Sequence, residues 1–544
     1  MFDFSRKLPI GVQSFEVMRN DRFLYVDKTE FLFKLVCSNR VYFLNRPRRF
    51  GKSLFLSTLK AYFLGQKELF KGLYLEKAEP LRAEAEKKDA WVTYPVLYLD
   101  FNVGRYAEQG ALDERLHFLL KEEESKYKIT APKDGRTFFA SRLERLIKAA
   151  YEQTGRQVVV LVDEYDKPLL QTMGVNEALN EEYRNELKAF YSVIKTCDQY
   201  IRFAFLTGVT QFSKISIFSD LNNLKDISML NDYAEICGMS QLEVESNFKV
   251  EIERLAKNTG STYDKTISEL KKRYDGYKFS VTGKSVYNPF SILSTLDSGE
   301  LKSYWFATGT PTFLVNYLKD AHYDIPDLDG NVELDESMLN EYRADVKNPI
   351  PILFQAGYLT IKEYIQDSNL YRLGFPNDEV RYGFLKNLLP SYTSLRPDET
   401  GVSVWRFVED MRAGNVDAFM ERMKAIIAGV PYDNLPKDKT ALREQNYQTA
   451  VYLIFKLIGQ FTQTEVHCAK GRADCIVQTK DAVYIFEFKL NASGSAEDAV
   501  AQIKEKGYAA PYKTCGKKIV AVGSSFDETA RTIKDWKTED LSNL

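Results

Sequence analysis

Histidine is nearly missing from this chain: three occur in 544 residues, His117, His322 and His467. Catalysis by paired imidazoles and a metal site built on several histidines are therefore excluded, and carboxylates, lysines and backbone amides must carry any chemistry. Cysteine is sparse too. The six (Cys37, Cys197, Cys237, Cys468, Cys475, Cys515) form no CxxC pair, which argues against a zinc ribbon and a disulfide framework and fits reduced thiols in a cytosolic protein. No run approaches about eighteen uninterrupted apolar residues, and Met1 to Lys7 lacks the apolar stretch of a signal peptide. The expectation is a cytoplasmic protein with no membrane partner. Charge is balanced as well, Lys+Arg 74 against Asp+Glu 76 giving −2, so no global basic field advertises nucleic acid. A local basic patch remains compatible with that balance.

At 544 residues the chain is long enough for about three to four domains. Four short apolar runs, Val41 to Leu44, Val96 to Leu99, Val158 to Val162 and Phe203 to Leu206, alternate with helical patterns at Ser53 to Leu64, Leu112 to Lys126, Ser141 to Tyr151 and Asn180 to Ile194. This rhythm predicts an α/β domain over 1–212, a doubly wound parallel sheet with its ligand at the carboxyl ends of the strands. Over 213–390, short helical stretches are broken at Asp275-Gly276, Asn288-Pro289 and Asp329-Gly330. There a helix from Ile350 to Gly357 and a hairpin from Tyr358 to Tyr364 and Leu370 to Phe375 read as a helical lid with a winged-helix-like end. A helical stretch, Val404 to Ala428, and a link, Pro431 to Lys439, occupy 391–439. In 440–544 a helix (Glu444 to Gly459), four strands (Thr464 to Cys468, Ala473 to Gln478, Ala482 to Lys489, Lys518 to Gly523) and an intervening helix (Ala496 to Tyr508) form another α/β unit. The fold class is multidomain α/β.

The segment Val41-Tyr42-Phe43-Leu44-Asn45-Arg46-Pro47-Arg48-Arg49-Phe50-Gly51-Lys52-Ser53-Leu54 sets a Gly-Lys-Ser triplet between an apolar strand and an amphipathic helix. That context marks a P-loop NTPase: successive backbone N–H groups at the helix start cradle phosphate, Lys52 reaches the β- and γ-phosphates, and the Ser53 hydroxyl ligates Mg²⁺. Arg48, Arg49, Phe50, Gly51, Lys52, Ser53 and Leu54 are the candidate ATP contacts. The pattern GxxxxGK[ST] asks for glycine at position 46, where this chain has Arg46, and a basic turn capping an ordinary helix is the bland alternative. Val158 to Val162 then deliver Asp163 to the Mg²⁺ shell and Glu164 to the attacking water. Thr207, at the end of a further strand, is a candidate sensor of the γ-phosphate.

Near the C-terminus, a two-residue turn at Lys480-Asp481 sets Asp474 opposite Glu487. Two like charges so placed repel, and Lys489 on the same strand face compensates only one of them. A divalent cation, Mg²⁺ or Mn²⁺, completes the balance, with the Phe488 carbonyl as a third ligand. An edge hairpin with solvent-facing charges is the alternative.

Asp474, the strand ending Glu487-Phe488-Lys489 and the α-β-β-β-α-β order around them resemble the PD-(D/E)xK nuclease superfamily. The resemblance implies that Asp474 and Glu487 bind the catalytic metal and that Lys489 orients or activates the water that attacks a phosphodiester. Gln502 and Tyr508 match the Gln-Ile-x-x-x-x-Tyr pattern of one branch, and Glu444 matches an acid that some members add. The whole chain resembles a bacterial family joining an AAA-ATPase-like N-terminal domain to this nuclease-like domain. Leu8-Pro9-Ile10-Gly11, Tyr25-Val26-Asp27-Lys28-Thr29, Arg46 to Ser53, Asp163-Glu164-Tyr165-Asp166-Lys167-Pro168, Thr207-Gly208-Val209-Thr210, Tyr287-Asn288-Pro289-Phe290 and Tyr304 to Pro311 carry that likeness. Arg46 is shared by the family.

Two functions follow. The first is an ATPase coupled to a metal-dependent nuclease acting on DNA, or less readily on RNA, with Arg472, Lys504 and Lys506 as candidate phosphate contacts. The second is a nucleotide-dependent switch or scaffold whose C-terminal fold recognises without cleaving. A homo-oligomer is compatible with both, whereas a ring motor needs an arginine finger that the sequence does not display.

Overall fold

The four N-terminal apolar runs form parallel strands because each is covered on both faces. They are β1 (Val41–Asn45), β2 (Val96–Asp100), β3 (Val158–Asp163) and β4 (Ile201–Gly208). With the short β5 (Lys225–Asp226) they make a five-stranded sheet in the order β2-β3-β4-β1-β5, parallel throughout. A computed structural model describes residues 6–129, 138–210, 218, 221–306, 314–315, 317–318, 321, 323–340, 348–428, 440–466, 474–490, 494–527 and 532–542. Helices Lys52–Phe63, Ala111–Lys126, Phe139–Thr154 and Glu177–Thr196 realise the expected alternation. Thr29–Ser38 and Tyr74–Glu86 are helices that the apolar pattern did not single out. Because β4 lies between β1 and β3, the turns leaving all three strands converge at one end of the sheet.

Gly208 closes β4 at that end, where an added Cβ would lie 2.5 Å from Asp166 Oδ1 and 2.6 Å from the Tyr165 ring. Both neighbours are fully buried and cannot swing away. Gly208→Ala is therefore expected to cost roughly 1–3 kcal/mol, read as a lower urea midpoint at unchanged slope. An unaltered midpoint would show that the strand end yields.

Helices Gln241–Asn247, Lys249–Asn258, Tyr263–Tyr274 and Pro289–Ser298 follow. Their apolar faces gather around Val26, Phe248, Ile252 and Tyr287, so the N-terminal segment is built into this helical core. The expected hairpin is present as β7 (Thr360–Ile365) and β8 (Leu370–Gly374), after a helix Ile350–Gln355. A strand not foreseen, β6 (Val332–Asp335), pairs with β8 to give the order β6-β8-β7.

By its contacts the chain divides into two compact units, residues 1–308 with 332–378 and residues 309–331 with 379–544, so that the stretch 213–390 contributes to both. In the second unit the expected single helical stretch from Val404 to Ala428 is two helices, Thr400–Arg412 and Val416–Ala428. Gly414 separates them at φ 73, a left-handed residue that ends a helix. Helix Thr440–Ile458 precedes β9 (Gln463–Val466), β10 (Cys475–Gln478), β11 (Ala482–Leu490), helix Ala496–Glu505, β12 (Lys518–Asp527) and β13 (Thr532–Asp540). The sheet runs β13-β12-β11-β10-β9, with only the β11–β12 pairing parallel. The link Pro431 to Lys439 and Cys468 lie outside the described residues. Among the described residues no helix is long and apolar enough to cross a membrane.

Candidate functional sites: a phosphate loop and a carboxylate hairpin

Between β1 and helix Lys52–Phe63 the chain passes through two left-handed residues, Arg49 at φ 68 and Gly51 at φ 92. Glycine adopts this freely, but arginine does so only where its surroundings hold it. Residues Arg48 to Leu54 all line one cavity of about 650 Å³, a size suited to a small ligand. Arg46 does not. Its guanidinium is 1% exposed and turns the other way, donating to the carbonyls of Asn45 (2.9 Å), Ser228 (2.8 Å) and Tyr233 (3.0 Å) and stacking 4.1 Å from the Phe279 ring centre. Burial pulls its pKa down to about 10, against the raising effect of Cys237 and the Asp226 charge.

The departure from the general loop pattern is thus a pin joining the loop to residues 228–279. Arg46→Gly restores the general pattern, yet it is expected to destabilise the protein by about 3 kcal/mol or more, since it empties a buried site and takes a charged donor from three carbonyls. Urea unfolding measures this, and a neutral result would remove the pin.

The rest of the loop is gripped from the same side. Trp305 Nε1 donates to Arg48 O (3.4 Å), Arg49 lies 3.7 Å above the Phe290 ring, and Gly238 N donates to Phe50 O (3.1 Å). The Phe50 ring meets Tyr277 edge-on at 4.7 Å. Lys52, only 5% exposed, donates to Arg46 O (2.9 Å) and Pro47 O (3.2 Å), and its ammonium lies 3.9 Å from Glu164 Oε1.

β3 delivers Asp163 to the same end of the sheet. The Ser53 and Tyr98 hydroxyls lie near this carboxylate, and its Oδ1 is buried without a partner among the described residues. Burial pushes Asp163 up to about 6, with the Glu164 charge adding to it. Glu164 takes φ 53 and lines the cavity. Thr207 is fully buried in β4, its hydroxyl unpartnered among the described residues. The structure therefore brings Lys52, Ser53, Asp163 and Glu164 together. Asp166, unnamed as a site residue by the sequence, ties β3 to the end of β4 by accepting from Val209 N (3.0 Å), Thr210 N (2.6 Å) and Thr210 Oγ1 (2.6 Å).

Sequence reasoning left the Asp27-Lys28-Thr29 segment without a role. Pro9 to Gln13, Tyr25, Val26 and Lys28 line the cavity. Lys28 is held by Glu243 (2.7 Å), and Asp27 caps the helix Tyr74–Glu86 by accepting from Tyr74 N (2.7 Å). Phe290, Cys237, Asn102 and Lys167 also line the cavity. The sequence marked Asn288-Pro289 as a break between helical stretches; it is a helix start, where Asn288 accepts from Phe290 N (3.0 Å) and Ser291 N (3.2 Å).

In the C-terminal sheet Cys475 pairs with Phe486 and Gln478 with Val483, the register expected from a turn at Lys480-Asp481. Asp474 Oδ2 accepts from Phe488 N (2.8 Å), and burial raises its carboxyl above the usual range. Glu487 is 4% exposed and is pushed up to about 7, first by burial and then by Asp474. Gln502, from helix Ala496–Glu505, donates to Glu487 Oε1 and accepts from Lys489 Nζ, which lies 3.6 Å from Glu487 Oε1. Glu487 Oε2 is buried with no partner among the described residues. No group of three or more His, Cys, Asp and Glu converges among the described residues, so a cation here has two carboxylates to rest on. Lys504, a candidate phosphate contact, is instead paired with Glu539 on β13. Arg472 lies outside the described residues, as does the Glu444 side chain.

Comparison with known proteins adds the lineage. The family model described as Predicted AAA-ATPase matches residues 9–218, and that of the PD-(D/E)XK nuclease superfamily matches residues 442–536. A curated relative, the Uncharacterized protein in vnfD 5'region of Azotobacter chroococcum mcd 1, is 35% identical over 539 residues, which cover 98% of this chain and 99% of the relative. The chain belongs to the bacterial family that joins an AAA-ATPase-like N-terminal domain to a PD-(D/E)XK nuclease-superfamily C-terminal domain.

Proposed function

We propose that the chain binds and hydrolyses ATP in its N-terminal unit and cleaves phosphodiesters, in DNA, with Mg²⁺ or Mn²⁺ at its C-terminal sheet. It would act in the cytoplasm, with the helical and winged-helix-like middle serving as a lid that senses nucleotide. The observation that carries the nuclease is the unpartnered, buried Oε2 of Glu487 beside Asp474. A carboxylate oxygen left bare in a low-dielectric site is costly unless a cation takes it up. Asp474, Glu487 and the Phe488 carbonyl would hold such a cation, which when bound supplies charge neutralisation and a more acidic water. Lys489 would help orient or activate the attacking water, and Gln502 fixes both Lys489 and Glu487. In the N-terminal unit Lys52 and the loop amides bind phosphates, Glu164 polarises the water and Thr207 reads the γ-phosphate. Ser53 and the bare Asp163 Oδ1 fit a Mg²⁺ ion, which when bound screens the phosphate charge.

The test is cleavage of plasmid and single-stranded DNA with and without divalent metal and ATP. Metal-dependent cutting that changes on adding ATP is the expected result. No cutting under any condition, with ATP still turned over, would assign the C-terminal fold to recognition.

A further inference from the structure

The cavity beside the phosphate loop is lined by five cationic side chains, Lys28, Arg48, Arg49, Lys52 and Lys167, against one carboxylate, Glu164. Three of the five are held by a carboxylate, by the loop's own carbonyls or by an aromatic ring. Lys28 pairs with Glu243, Lys52 sits on its own loop carbonyls and Arg49 stacks on Phe290. Arg48 belongs to the phosphate loop itself. Lys167 comes from elsewhere and has no role in the reading above.

Lys167 opens the short helix Lys167–Thr172, and its backbone N–H donates to Glu164 O at 3.0 Å. The left-handed φ 53 of Glu164 starts the tight turn that brings both side chains onto the cavity. Glu164 in turn lies 3.9 Å from the Lys52 ammonium, so Lys167 belongs to the phosphate end of the cavity. The same cavity is also lined by Pro9, Ile10, Phe290 and Leu293, apolar groups suited to a base. The Lys167 ammonium donates to the backbone carbonyl and side-chain oxygen of Asn102. Both are uncharged, and the ammonium joins no ion pair among the described residues. Burial lowers its pKa, outweighing the charges of Glu164, Asp100 and Asp166.

We propose that Lys167 contacts the terminal phosphate of a bound nucleoside triphosphate and stabilises the charge passing to the β–γ bridging oxygen, with Asn102 as its positioning residue. This rests on reading the cavity as an ATP site. In the step, a water oxygen bonds to the γ-phosphorus and its proton passes to Glu164. The bond from phosphorus to the bridging oxygen breaks, its electron pair leaves on ADP, and Lys167 keeps its proton. The charge that many NTPases take from a partner's arginine would here come from the same chain, on the residue three beyond the one that polarises the water.

Full-length wild type, Lys167→Met, Lys167→Arg and Asn102→Ala should be compared for ATP affinity, ADP affinity and ATP turnover. Lys167→Met is expected to bind ADP as wild type does, to bind ATP about tenfold more weakly and to turn it over about 100-fold more slowly. Lys167→Arg should recover part of both losses, and Asn102→Ala should fall between wild type and Lys167→Met. If wild type binds both nucleotides and Lys167→Met keeps the ATP preference and the turnover, the assignment falls while the ATP site stands. Equal loss of ATP and ADP affinity also overturns it, by making Lys167 structural. A wild type that binds neither nucleotide overturns the ATP site and the inference together.

Discussion

Lys52→Ala is expected to weaken ATP binding about 100-fold and to slow turnover by about 1,000-fold, while the protein stays folded. The ammonium is 5% exposed and held by Arg46 O and Pro47 O inside the loop, so its charge acts through a poorly screened medium. Hydrogen bonds to charged groups contribute about 1.5–3 kcal/mol, and 2.7 kcal/mol is about 100-fold in affinity. The larger loss in turnover follows because charge grows on the phosphate oxygens as the bond breaks. Alanine is a strong helix former and Lys52 is the first residue of its helix, so the helix itself should persist. Calorimetric titration with ATP, alongside a urea unfolding curve, separates lost binding from lost structure. Retained ATP affinity in a folded Lys52→Ala protein would remove the phosphate-loop assignment.

How much of this was legible depended on whether the signal was local. The run Val158 to Val162 followed by Asp163-Glu164 is fully buried in β3 and could be read as such, because a strand covered on both faces has no polar positions to blur it. The hairpin register was readable from the turn: with Lys480-Asp481 as its two residues, pairing by position set Asp474 opposite Glu487. β13 escaped notice because Thr532–Asp540 is an edge strand of largely exposed, charged residues with no apolar alternation. The packing of residues 238–305 against the loop was invisible for another reason. Gly238, Tyr277, Phe279, Phe290 and Trp305 reach the loop by tertiary packing across roughly two hundred residues or more, and no spacing rule records such contacts. Arg46 shows both effects at once: its position was marked by the loop pattern, but only the fold reveals that its side chain points away from the cavity.

Lys489→Ala is expected to lower metal-dependent DNA cleavage about 1,000-fold without changing ATP affinity. The argument starts from the chain of contacts Glu487, Gln502, Lys489: the glutamine donates to Glu487 Oε1 and accepts from the lysine, so one amide fixes both charged groups. Removing Lys489 takes away the only cation of this network and the group placed to activate the water, and acid–base groups of this kind contribute about 100-fold to 10,000-fold. Burial should still hold Glu487 in place through Gln502, so the domain is expected to remain folded. Asp474→Asn is the companion variant. It keeps an oxygen for the Phe488 N–H, bonded at 2.8 Å in the wild type, but removes one of the two carboxylates available to a cation. Mg²⁺ or Mn²⁺ should therefore raise the melting temperature of wild type and of Lys489→Ala, and should do so much less for Asp474→Asn. A cleavage rate untouched by Lys489→Ala would deny it a role in the chemistry. Loss of the folded state in Asp474→Asn would instead recast this carboxylate as a structural clasp between β11 and the segment leading into β10.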